Sequence, residues 1–458
     1  MATDKTVKII GDADANPTKA FFVRMLTRDI SIEDCILDLI DNSVDAAWES
    51  EEGPQPGLEP SNRLEPYAVN LSIEPESFEI ADNCGGLTLE EAKRSAFNFG
   101  NIDILAPEGS SLSVGVYGIG MKRAIFKLGS NISVTSTCEQ ADGAPEAFTV
   151  RVDVDEWLNE SNEGWQFPII SAKPAPVNGL VIDVQDLNEE VKTAFANEAF
   201  VGRLYDTIAK DYMLSLAHGL KITLNNRRVE GESMTLLVSD EFEPFHQTFV
   251  DGGVAVTIIA GMVERPSDDT EPDTRNAKRS DSGWNVFCNG RAVLTNDTSP
   301  ITGWGKSGIP RWHPQYSGFK GYVFFTAENP ALLPMTTTKR SVDEAASVYK
   351  RALGAMSKPA RDWVNYTNRR KSRLEEAKTK EDLAKPANIS DLDRNKSIKL
   401  PDLGQKPIQM ANINFSKPAS QVKKLGETFG DVDMAYRDVG LKAFELAYAQ
   451  RVDEEEYE

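Results

Sequence analysis

Between Ser31 and Ala47 the chain reads SIEDCILDLIDNSVDAA. At about 100° per residue, Ile32, Cys35, Ile36, Leu39, Ile40, Val44 and Ala47 share one broad face. Asp34, Asp38, Asp41 and Asp45 gather opposite, with Asn42 at their edge. The pattern predicts one amphipathic helix. Ser31 suits its N-cap, and Asp34 three residues on suits a helix start. Aspartates spaced by three and four residues repel one another, and no Lys or Arg is interleaved to relieve them. A solvated acidic face is one reading. The other is a place where a cation and an anionic ligand are held, and two glycine-rich stretches downstream favour it.

The first stretch is FEIADNCGG, Phe78 to Gly86. Residues 69–73 alternate Val, Leu and Ile with polar neighbours, Pro75-Glu76 turns the chain, and Phe78-Ile80 opens a second strand. Asp82 therefore sits at a strand end, before a turn that Gly85-Gly86 eases. The second stretch is GVYGIGMK, Gly115 to Lys122, running into RAIFKLG, with Gly129 as the expected cap of the helix it opens. Free backbone N–H groups and the positive end of a helix make such a loop a phosphate cradle, and Lys122 adds a mobile charge.

Neither stretch suffices alone. Read from Gly118, GVYGIG lacks the third glycine of a dinucleotide fingerprint, because Arg123 stands there. Gly305-Lys306-Ser307 imitates the end of a Walker A loop, but the glycine required five residues earlier is Pro300. The order carries the information: an Asp/Asn helix, a strand ending in Asp and a Gly turn, then a glycine loop opening a helix, all before residue 130.

That order resembles the GHKL superfamily of ATPases with its Bergerat ATP-binding fold (gyrase B subunits, heat-shock chaperones, histidine kinases, MutL), in a flavour similar to its MORC-like members. LDLIDNSVDA resembles the N-box, IADNCGG the DxGxG box, and SVGVYGIGMK the second glycine box that anchors the lid. The resemblance implies that Asn42 holds Mg²⁺ between the phosphates, Asp82 recognises the adenine amino group, and Gly86 lets adenine approach the backbone. It assigns Gly115, Gly118, Ile119, Gly120, Met121 and Lys122 to ATP binding. Asp38 takes the place of the general base. Three residues depart from the pattern: Cys84 replaces the first glycine of DxGxG, Asp38 the usual Glu, and Leu180 the usual Thr of the closing strand GLVIDV.

At 458 residues the chain is long enough for two or three domains. Its 40% hydrophobic and 26% charged residues are those of a soluble globular protein, and no apolar run approaches ~20 residues. The N-terminus lacks a hydrophobic signal region. The four cysteines (Cys35, Cys84, Cys138, Cys288) show no CxxC pairing, which predicts reduced thiols and a cytoplasmic protein. A net charge of −21 argues against a surface coated in nucleic acid.

The expected fold class is α+β: a Bergerat-type α/β sandwich over residues 1–190, a ribosomal-S5-like α/β transducer domain over 191–345, and a helical C-terminal region over 346–458. Residues 16–30 precede the acidic helix either as an ordinary lead-in helix or as a segment crossing to a partner subunit. Residues 98–113 correspond by position to the ATP lid. The resemblance places a cation that reaches the γ-phosphate within LPMTTTKRS, as Lys339 or, instead, Arg340, with surface charge the alternative. Strands are expected near 220–224, 253–260, 284–288 and 319–326, and a helix or helical pair over 341–385. Seven basic residues against three acids between 361 and 380 suggest a contact with DNA phosphates. Residues 386–404 read as a linker, and Leu441, Phe444, Leu446 and Ala447 form a final apolar stripe.

Together these features lead to a Mg²⁺-dependent ATPase in which ATP binding closes a homodimer and drives action on a client. DNA handling or host defence is the favoured role, with protein partners as the competitor. A chaperone-like ATPase and a non-hydrolysing ATP-binding module are the alternatives. A histidine kinase needs a phosphoacceptor His before the ATP domain, whereas His218, His246 and His313 all follow it.

Overall fold

The computed structural model describes residues 18–50, 58, 61–98, 119–140, 143–159, 164–267, 281–403 and 413–451, in two compact units, Met1–Gly404 and Gln405–Glu458. Gly115 and Gly118, like residues 99–113 of the expected lid, lie outside the described residues.

The first unit begins with helices α1 (Lys19–Arg28) and α2 (Ile32–Glu49). Ser31 caps α2 as expected, its hydroxyl accepting from the Asp34 amide. Thr88 and Glu91 form a reciprocal capping box at the short helix α3 (Leu89–Glu91). Helix α4 (Gly120–Leu128) follows the glycine loop, and α5 (Val154–Asn159), α6 (Glu189–Phe195), α7 (Glu198–Asp211) and α8 (Met213–Ala217) come later.

An eight-stranded sheet lies against these helices. Its strands are β1 (Ala68–Glu74), β2 (Ser77–Asp82), β3 (Gly129–Glu139), β4 (Pro145–Asp153), β5 (Ile169–Ser171), β6 (Gly179–Leu187), β7 (Lys221–Leu224) and β8 (Arg227–Arg228). They run in the order β5-β4-β3-β6-β2-β1-β7-β8. Val69, Leu71, Ile80, Ile132, Val134, Val150, Ile182 and Val184 alternate along the strands and are buried with Cys35, Ile36, Leu39 and Ile40 of α2 and Ala124, Ile125 and Leu128 of α4. A period of two on the strands and 3.6 on the helices thus meets in one core. This is an α/β sandwich.

One expectation is corrected here. The strand near 220–224 belongs to this first sheet, pairing in parallel with β1 from Ala68↔Lys221 to Leu71↔Leu224, because Ile222 and Leu224 complete its core. Gly129 caps α4 as expected, its amide donating to the Ile125 carbonyl, and its backbone is extended (φ −169°) as it enters β3. A Cβ there would meet Val184 Cγ1 at 2.8 Å and the Gln185 carbonyl oxygen at 2.9 Å, so close packing on β6 requires the glycine.

A second sheet of five strands has the order β10-β11-β14-β12-β13. Its members are β10 (Phe245–Asp251), β11 (Val254–Met262), β12 (Gly283–Cys288), β13 (Arg291–Asp297) and β14 (Phe319–Thr326). The parallel pair β12 and β14 is buried almost throughout, as a strand covered on both faces must be. On one side Tyr349, Ala352, Met356 and Trp363 of α9 (Ser347–Arg370) join the core. On the other, Met213 and Leu214 of α8 and Leu236 pack against Phe287, Tyr322 and Phe324.

The expected linker 386–404 is corrected, over its described residues 386–403, to packed structure. Lys385–Asn388 forms β15, antiparallel to β9 (Thr235–Val238), and Ile389 and Leu403 are buried. The basic stretch is a helical pair, α9 and α10 (Leu374–Glu381). Within it Arg370 is buried and grips Glu381 with two hydrogen bonds, Nε to Oε1 at 2.7 Å and Nη2 to Oε2 at 3.0 Å.

In the second unit, α11 (Ala419–Thr428) and α12 (Tyr436–Arg451) meet where Gly426 faces Val439. Leu441, Phe444 and Leu446 of the expected stripe are exposed. No described helix is long and apolar enough to cross a membrane.

Candidate functional site

A cavity of about 670 Å³ opens between α2, the β2 end, the start of α4 and β6. Asp38, Asn42, Asp82, Gly86, Ile119, Gly120, Met121, Lys122 and Lys339 all line it. So do Ser43, Asp45, Glu49, Arg123, Leu180 and Thr337, which the motifs did not single out as site residues.

One end is built on Asp82. Its Oδ2 accepts from Ser43 Oγ at 2.6 Å, and its Oδ1 from the amides of Cys84 at 2.9 Å and Leu180 at 3.3 Å. Burial pushes the Asp82 pKa up against the pull of these hydrogen bonds. The contact from position 180 comes from the backbone, so it survives the loss of a Thr hydroxyl there. The turn after Asp82 is clamped from behind, because Ser136 Oγ donates to the Leu87 carbonyl and accepts from the Leu87 amide, each at 2.7 Å. Gly86 has φ +74°, and a Cβ on it would stand 2.3 Å from the Thr137 carbonyl oxygen. Only glycine fits such a position. Cys84, the departure from the DxGxG pattern, is buried in the core and its thiol is inert, pushed far up by desolvation.

The other end is dominated by charge. Asn42 is exposed, so its amide is available to a ligand. Lys122 is buried, donates to the Ala96 carbonyl at 2.9 Å, and is lowered by desolvation to about 8. Asp38 accepts two hydrogen bonds from Arg123, Nε at 2.9 Å and Nη2 at 2.7 Å.

Asp41, one turn of helix further on, is 2% exposed. Its carboxylate receives Lys339 Nζ at 2.7 Å, Arg291 Nε at 2.8 Å and the Tyr212 hydroxyl at 2.7 Å. Burial by itself would raise its pKa, yet the Lys339 ammonium and the Arg291 guanidinium together hold it below the ordinary value. Arg291 also meets Asp211 at 2.7 Å. Arg340 meets that same carboxylate at 2.8 Å and the side chains of Asp34 and Glu33 as well.

The acidic face is therefore not solvated along its whole length. Asp38 and Asp41 are buried, and the missing cations arrive from Arg123, Arg291, Lys339 and Arg340. An interleaving signal could not reveal them, since the pairing spans 85 to 307 residues of sequence. Lys339 has φ +55°, a left-handed conformation that costs a non-glycine residue about 1–3 kcal/mol. In an extended chain successive side chains point apart, whereas here Lys339 and Arg340 both reach α2. Of the two, Lys339 lines the cavity and Arg340 joins the ion pairs beside Asp34.

Residues 30–179 match the family described as Histidine kinase-, DNA gyrase B-, and HSP90-like ATPase. No curated protein matches the chain. The matched segment holds α2, the Asp82 turn and the glycine loop, and it supports assignment of residues 30–179 to the GHKL superfamily of ATPase domains.

Proposed function

We propose that the chain binds Mg²⁺–ATP in the cavity, hydrolyses it, and uses ATP-driven homodimer closure to act on a client. The observation that carries this reading is that one cavity gathers Asn42, Asp82, Gly86, the start of α4 and Lys339. Asp82, its other contacts satisfied by protein donors, would receive the adenine amino group. The α4 start, with Ile119, Gly120, Met121 and Lys122, would hold phosphates by its free amides and the Lys122 charge, together with Gly115 and Gly118. Asn42 offers an exposed oxygen ligand, which suits Mg²⁺ shared with phosphates and water. The metal, when bound, would neutralise charge on the phosphates.

Asp38 is the proposed general base and Lys339 the group that couples the nucleotide to the second sheet. The domain division 1–190, 191–345 and 346–458 follows the same reading, with β7 and β8 of the middle stretch returning to the first sheet. Exposed Phe21 and Met25 on α1 favour a partner subunit at the segment before α2. A DNA client in a MORC-like, host-defence or DNA-handling role rests on the basic residues that remain exposed on α9 and in the turn that follows it, such as Arg361, Arg369, Lys371 and Arg373. Phosphate release with and without duplex DNA, together with sedimentation with and without a non-hydrolysable ATP analogue, tests the proposal. Slow release and a doubled mass with the analogue are expected. An unchanged mass removes the closure model. Nucleotide binding without any release leaves a regulatory ATP-binding module.

A further inference from the structure

The proposed catalytic groups leave one cavity-lining cation without a role. Arg123 follows Lys122 on the first turn of α4, and its side chain is 15% exposed. Both of its hydrogen bonds converge on a single atom, Oδ2 of Asp38. Among the described residues no hydrogen bond reaches the other oxygen, Oδ1, although Lys339 Nζ stands 3.5 Å from it.

A free carboxylate has two equivalent oxygens and rotates about its side-chain bonds. Here the equivalence is broken. The grip is also well supported, because α2 and α4 share one core through Cys35, Ile36, Leu39, Ala124 and Ile125. Gly120 keeps the approach open: a Cβ on it would lie 3.4 Å from that same Oδ2.

We propose that Arg123 is a positioning residue that assigns the two Asp38 oxygens different jobs. Oδ2 is held, and Oδ1 is presented to water. The inference rests on the reading of Asp38 as general base. In that step a water O–H bond breaks and its proton passes to Oδ1, while the water oxygen bonds to the γ-phosphorus. The bond from that phosphorus to the bridging oxygen breaks, and its electron pair leaves on ADP. An aspartate is one methylene shorter than a glutamate, so it has less reach with which to correct a misaligned carboxylate. A misplacement of about 1 Å is enough to cost roughly a hundredfold in rate.

The test compares wild type, Arg123→Ala, Arg123→Lys, Asp38→Asn and the Arg123→Ala/Asp38→Asn double variant in the full chain. Each is assayed for turnover and, by calorimetry, for affinity toward the β,γ-imido analogue of ATP, with circular dichroism confirming the fold. Arg123→Ala is expected to lower kcat roughly 10- to 100-fold while analogue affinity stays within about threefold, and Arg123→Lys to recover part of the rate. In the Asp38→Asn background the second substitution should change kcat by less than about twofold, because the two residues act as one unit. Additive losses, or analogue affinity falling as far as kcat, would show Arg123 acting on the phosphates directly and overturn the positioning role alone. Hydrolysis by Asp38→Asn at the parent rate would instead overturn the base assignment beneath it.

Discussion

Lys339 Nζ lies 2.7 Å from Oδ2 of Asp41, a residue 298 positions earlier in the chain. The cation is thus docked on α2 by a carboxylate that does not line the cavity, while Lys339 itself does. Asp41 is served by two cations and a hydroxyl, whereas Lys339 has one close carboxylate and a second at 3.5 Å. The consequences of removing either partner are therefore unequal. Asp41→Ala takes the close carboxylate from Lys339 and one of two from the buried Arg291, which keeps Asp211, and is expected to cost about 3 kcal/mol, the lower end for broken buried pairs. Lys339→Ala leaves Arg291 to neutralise Asp41 and should cost about 1–2 kcal/mol at most, with turnover reduced more than ATP binding. Chemical denaturation of both variants checks the order, and equal losses would mean that Arg291 does not share the charge.

The Lys122 amine is pushed down to about 8 by burial, so if Lys122 holds phosphate as proposed, the affinity is expected to depend on pH. Below that value the folded protein carries the charge that attracts an anion, so affinity is full. As pH rises through about 8 the amine is neutral before binding, and affinity falls by up to tenfold per unit. The nucleotide-free protein behaves oppositely. A lysine whose folded pKa is depressed costs stability while charged, and that cost is relieved between about 8 and the ordinary lysine value. Calorimetric titration of the ATP analogue from pH 7 to pH 10 should show the decline, and Lys122→Arg should flatten it. A pH-independent affinity in the parent protein would remove Lys122 from the phosphate contacts.

Gly86 and Gly85 both have positive φ, +74° and +117°, but their surroundings differ. An alanine at 86 meets backbone at 2.3 Å, and one at 85 meets only Ser50 Oγ at 3.4 Å. Strain at φ accounts for about 1–3 kcal/mol in each case. Gly86→Ala must also push β3 away from the turn, so it should lose analogue binding outright, while Gly85→Ala keeps most of it. Comparable binding in the two variants would argue that the turn is not part of the base pocket.

Asp38→Asn keeps the shape of the side chain but removes the proton acceptor, and loss of a general base typically costs ~10²–10⁴-fold in rate. Affinity for the analogue should persist and phosphate release should nearly stop. Asp38→Glu adds one methylene and should retain or raise turnover. A stopped-flow phosphate sensor separates these outcomes from a binding defect, and parent-rate release by Asp38→Asn would make Asp38 a structural acid.

The local elements were legible because they are made by neighbours in sequence. The Ser31 cap, the apolar face of α2 and the strand ending at Asp82 each depend on residues within a few positions of one another, and Asn42, Asp82, Gly86 and Lys122, read from such stretches, line one cavity. The tertiary structure alone decided how the aspartates of α2 are neutralised. Coulomb interaction and burial depend on distance in space, and Arg123, Arg291, Lys339 and Arg340 come near Asp38, Asp41 and Asp34 only through sheet pairing and core packing. The same reason explains why β7 joined the first sheet and why 386–403 is packed: strand partners are chosen by long-range registers, which no short window of sequence records.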